Sequence, residues 1–124
     1  MNKNNYTLES KLNDEQKTTL VSAVQDVSFA VGYVAPLIRE SDDTNLIDTV
    51  VLCQQEAADI VNFIKSGVDL TCMTLVMLNN SLKMLKSDFH KIESYLWKIH
   101  SKHAEGLMFR GVNLDEAFSL DRNC

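Results

Sequence analysis

Residues 69–105 read DLTCMTLVMLNNSLKMLKSDFHKIESYLWKIHSKHAE, and the spacing of their apolar side chains decides the fold. Leu75, Leu78, Leu82, Leu85, Phe89, Ile92, Leu96 and Ile99 follow one another in alternating steps of three and four. Residues three and four apart share one face of an α-helix, so this is a heptad seam. The next position in register is His103, where the seam turns polar. A single straight helix over these residues would be ~55 Å long, against ~26–30 Å for a compact domain of this size. Asn79-Asn80-Ser81 and Ser87-Asp88 are the places for a break, being poor interior residues and good caps. The seam crosses both without changing register, which predicts one continuous helix from 69 to about 105, with a break near Ser87 as the rival.

The first turns of this stretch are apolar on nearly every side, at Leu70, Cys72, Met73, Leu75, Val76, Met77 and Leu78. An all-round apolar helix is expected to be buried all round. Flexible thioethers also suit adaptable binding grooves, which is the alternative use of the methionines. From Leu82 onward the pattern is amphipathic, with Lys83, Lys86, Lys91, Glu93, Lys98 and Lys102 on the polar face.

Two helices are predicted before it. Asn13-Asp14-Glu15-Gln16 has capping-box spacing, and Leu20, Val24, Val27, Val31 and Val34 form the face that follows. Pro36 predicts a kinked last turn reaching Arg39. Ser41 to Asn45 is a turn by composition. The second helix, 44–66, carries a wide apolar stripe with Gln54 inside it, and Gly67 suits its left-handed cap. These two helices are expected to form an antiparallel hairpin. Beyond the long helix, Glu105-Gly106 reads as a stop and Leu107-Met108-Phe109 as an exposed apolar cluster. Asn113-Leu114-Asp115-Glu116 reads as the cap of a short C-terminal helix to about Leu120. The fold class is therefore all-α, a helical bundle with a hairpin, one long heptad-patterned helix and a short C-terminal helix. Residues 1–12 are expected to be a flexible arm and 13–124 a single helical domain.

Composition narrows the function. The chain has 124 residues, 45% hydrophobic and 23% charged, with one proline and four glycines, as expected for helices joined by short connections. The net charge of −5 disfavours nucleic acid held by phosphate contacts. The charge is uneven: residues 1–67 carry five bases against ten acids, while 68–105 carry five lysines against four acids. Three cysteines, Cys53, Cys72 and Cys124, with no CxxC pair, form neither a disulfide framework nor a zinc ribbon. No signal peptide is recognisable at Met1, and the apolar clusters are shorter than a bilayer span, so a cytoplasmic protein with no membrane partner is expected.

No catalytic spacing, phosphate loop or dinucleotide fingerprint is present in the sequence, and no cofactor is expected. The expectation is a non-enzymatic regulator, adaptor or inhibitor that binds a protein partner. The seam is also expected to pair two copies into a homodimer, because a long uncovered apolar stripe is costly. The interface residues are then Leu82, Leu85, Phe89, Ile92, Leu96 and Ile99, with Leu107, Met108 and Phe109. The alternative is a helical signalling module using a histidine, either phosphotransfer-like or as a metal site. His100 and His103 lie three apart, as two imidazoles on one helix face would, but no third ligand falls at helical spacing. Histidine phosphotransfer domains share this size and bundle architecture, with lysine and glycine shortly after the histidine. His103 has Gly106 without an intervening lysine, and His90-Lys91 has no glycine.

Overall fold

The computed structural model describes residues 12–68 and 72–117. They form an all-α bundle of four helices: α1 (Asp14–Glu40), α2 (Thr44–Lys65), α3 (Cys72–Ile99) and α4 (Ser101–Ala117). No strand occurs among the described residues. Each helix packs on the next, and α4 returns onto α1, while α1 and α3 barely meet. The ring order is therefore α1–α2–α3–α4, with the α2/α3 edge opposite the α4/α1 edge.

Local chemistry sets most of the helix ends. The Asn13 side chain accepts from the Gln16 N–H at 2.8 Å, and the Asn13 N–H donates to Gln16 Oε1 at 2.8 Å. This reciprocal pair satisfies two donors that the first turn leaves open. Pro36 lies inside α1, which continues to Glu40. The turn to α2 places Asp42 at φ 59°, a left-handed conformation that aspartate tolerates. Asp43 then caps α2 by accepting from the Leu46 N–H at 3.1 Å. After α2, Gly67 takes φ 82°. The predicted cap Asp69 and its neighbour Leu70 lie outside the described residues, as do 1–11 and 118–124. Of the expected arm only Leu12 is described, and it is buried with the core.

The seam corrects two boundaries. Leu75, Leu78, Leu82, Leu85, Phe89, Ile92 and Leu96 are all buried, but Ile99 is exposed and α3 stops there. The break falls at His100, not at Ser87 and not after Glu105. The His100 N–H donates to the Leu96 carbonyl at 2.7 Å, and the Ala104 N–H donates to the His100 carbonyl at 3.1 Å. The chain then reverses, as Lys86 pairs with Asp115 and Phe89 lies beside Gly111. The second correction concerns α4. It runs unbroken from Ser101 to Ala117 through Gly106 and Gly111, in place of a stop at Gly106 and a new start at Asn113. Ala104, Leu107 and Leu114 lie on its buried face. Burying that face against α1 and α3 outweighs the roughly 1 kcal/mol that each helical glycine costs.

Candidate protein-interaction surfaces

The expected interface residues divide sharply. Leu82, Leu85, Phe89, Ile92, Leu96 and Leu107 are core. Ile99, Met108 and Phe109 are exposed. The seam was expected to be covered by a second copy, but α4 folds back at His100 and covers it within the chain. Those six side chains are not a surface of this fold. The all-round apolar start of α3 is corrected too: Met73, Val76 and Met77 are exposed, and so is Met84 one turn beyond the first polar break. The side chain of Cys72 lies outside the described residues.

Met77 and Met84 border a groove of about 320 Å³ between α2 and α3. On α3, Met77, Ser81 and Met84 step by four and three along the flank next to the seam, so they line one wall. On α2, Glu56, Asp59, Ile60 and Phe63 line the other. Small Ser81 lies between the two flexible methionines, and buried Leu78 completes the lining.

The acidic side of this groove is chemically unusual. Glu56 is half-buried, and its Oε1 has no hydrogen-bond partner among the described residues. Burial, followed by the neighbouring Asp88 carboxylate, pushes the Glu56 carboxyl up to about 7. Lys91, which pairs with Asp88 at 3.4 Å, opposes that rise. Cys53 lies fully buried nearby. Desolvation, then the charges of Glu56 and Asp88, push its thiol up to about 12. A thiol held protonated and out of solvent is a packing group, not a nucleophile.

A second groove of about 320 Å³ lies on the opposite edge, between α1 and α4. Phe29 and Tyr33 stand one turn apart on α1 and are 71% and 74% exposed. Both fall off the Leu20/Val24/Val27/Val31/Val34 face, which is the sequence signal that they point outward. Lys102, His103 and Arg110 line the α4 side, and Gly106 leaves the space between them open. The Tyr33 and His103 ring centroids are 5.7 Å apart, and those of His100 and His103 are 5.6 Å apart.

The histidines remain separate from any ligand set. No group of three His, Cys, Asp or Glu side chains suited to a metal exists among the described residues. His90 is exposed on α3, with Ser94 Oγ 3.4 Å from its Nε2 and Glu93 4.0 Å from its Nδ1. Among the described residues one helix, α1, is long and apolar enough to cross a membrane by length and composition, although the single apolar clusters looked too short. Its apolar face packs into the bundle core.

Comparison of the chain with protein-family models, with curated proteins and with solved structures finds no match.

Proposed function

We propose that the protein is a small non-enzymatic binding module that holds a basic, amphipathic segment of a partner protein along the α2/α3 groove. The observation that carries this is the exposed thioether pair, Met77 and Met84, facing a wall bearing Glu56 and Asp59. Methionine side chains adapt to a guest's shape, and each large apolar side chain buried contributes ~1.5–3 kcal/mol. No basic side chain lines this groove among the described residues, so cationic flanks on the guest meet an acidic wall. Burial and the neighbouring Asp88 push the Glu56 carboxyl up to about 7. Asp59 is the second carboxyl group on this wall, and an incoming cation favours release of the Glu56 proton. An adaptor, inhibitor or regulator in the cytoplasm is the role this chemistry serves.

The test is titration with a labelled helical peptide carrying leucines on one face and lysines on its flanks. Binding should weaken at least tenfold in Met77→Asp and in Asp59→Lys. A peptide with the same leucines and glutamate flanks should not bind. Unchanged affinity in both variants would remove the groove from consideration.

A second reading uses His90, because its side chain is 75% exposed at mid-helix on a four-helix bundle. Replacing His90, His100 and His103 together by glutamine separates the two. The binding module keeps its activity in that variant, whereas a histidine-dependent signalling module loses it.

A further inference from the structure

We propose that a second copy of this chain supplies such a guest: the Phe29–Tyr33 crest of one molecule seats in the α2/α3 groove of the next, building an open head-to-tail assembly. This rests on the reading of the α2/α3 groove as a site for a basic amphipathic segment.

Charge complementarity names the occupant. The α2/α3 groove is lined by Glu56 and Asp59 and by no base among the described residues. The α1/α4 surface presents Lys102 and Arg110, with His103, and no acid among the described lining residues. Each molecule thus carries both halves of a charge-matched contact, which steers association and fixes its register. Relief matches as well. Phe29 and Tyr33 are four residues apart, ~6 Å along the helix, whereas Met77 and Met84 are seven apart, ~10.5 Å, with only Ser81 between them in the groove wall. Two rings one turn apart can enter the space between the thioethers, and sulfur against an aromatic ring is a favourable contact.

The placement of the two surfaces decides the symmetry. They lie on opposite edges of the helix ring, so a bound copy still offers a free crest and a free groove. A contact between unlike surfaces is heterologous and propagates unless rotation closes it. This differs from a two-fold dimer, which leaves nothing to propagate.

The experiment uses the full chain and two surface variants, with circular dichroism confirming that each is helical. Phe29→Ser/Tyr33→Asp lacks the crest and keeps the groove. Met77→Asp/Asp59→Lys lacks the groove and keeps the crest. Light scattering should show the wild-type mass rising with concentration past twice 14.0 kDa. Each variant alone should stay at 14.0 kDa. An equimolar mixture should form a one-to-one complex and stop there, since each partner caps the other. A wild type that plateaus at a dimer, a variant that still assembles alone, or a mixture that stays monomeric overturns the proposal. The basic-peptide titration separates it from the reading beneath. A wild type that stays monomeric yet binds the peptide overturns self-assembly alone. One that neither assembles nor binds overturns both.

Discussion

The Phe89 ring lies 3.5 Å from the point where a β-carbon on Gly111 would sit, which puts mid-α3 directly against α4. This is ordinary van der Waals distance, so an alanine fits, while a larger side chain brings further atoms towards the ring. Gly111→Leu should destabilise the fold by about 1–3 kcal/mol through overpacking. Gly106→Ala serves as the control. Its added methyl meets only the Arg110 side chain at 3.6 Å, and it should stabilise by roughly 0.5–1 kcal/mol. Urea unfolding of both variants measures the two effects, and equal signs would mean that Gly111 does not face Phe89.

Leu96 is the last buried position of the seam, at 0% exposure. Leu96→Ala should cost about 2–5 kcal/mol. Leu96→Glu places a carboxylate where no partner exists and should unfold the chain instead of separating two copies. A helical, monomeric Leu96→Glu protein by circular dichroism and light scattering would contradict its place in the core.

Glu56 makes stability depend on pH in a direction opposite to that of a salt-bridged carboxylate. Its folded value of about 7 lies above the ordinary 4.5. Between those values the folded chain binds more protons than the unfolded one. The contribution is fully present below 4.5 and is lost as pH rises through about 7. Asp88, Asp59 and Lys91 are the charged neighbours that shape this step. Glu56→Gln removes the titration, so its unfolding free energy should fall less than the wild type's between about pH 5 and about pH 8. The difference should be roughly 1 kcal/mol after allowance for solvent screening. Parallel pH profiles for the two proteins would show that Glu56 ionises freely.

Cys53 should react with thiol reagents only when the bundle opens. In a chain carrying Cys72→Ser and Cys124→Ser, its labelling rate should follow the unfolding rate and accelerate with urea. Labelling at the pace of an exposed thiol in water would contradict both its complete burial and its raised pKa.

Much of the bundle is legible in the amino-acid order because it depends on local repeats. The alternating three-and-four spacing from Leu75 to Leu96 marks a helix face wherever that helix goes, and all of those positions are buried. Asn13 with Gln16, and Gly67, announce their ends because caps are contacts within one turn. The turn at His100 left no such trace. The helical bonds of His100 and Ala104 span it, and Ile99 continues the spacing even though it is exposed. A heptad pattern states which face must be covered but not by what, so a second copy and a returning α4 satisfy it equally. Choosing between them takes contacts between distant residues, such as Phe89 with Gly111 and Lys86 with Asp115. The candidate site follows the same division. Met84, Phe29 and Tyr33 lie off the apolar spacing of their helices, whereas Met77 sits in a run that is apolar on nearly every side and was expected to be buried. That the methionines share a groove with Glu56 and Asp59, while the aromatics and Arg110 stand on the opposite edge, depends on ring order. Ring order arises from packing between helices, which no local spacing encodes.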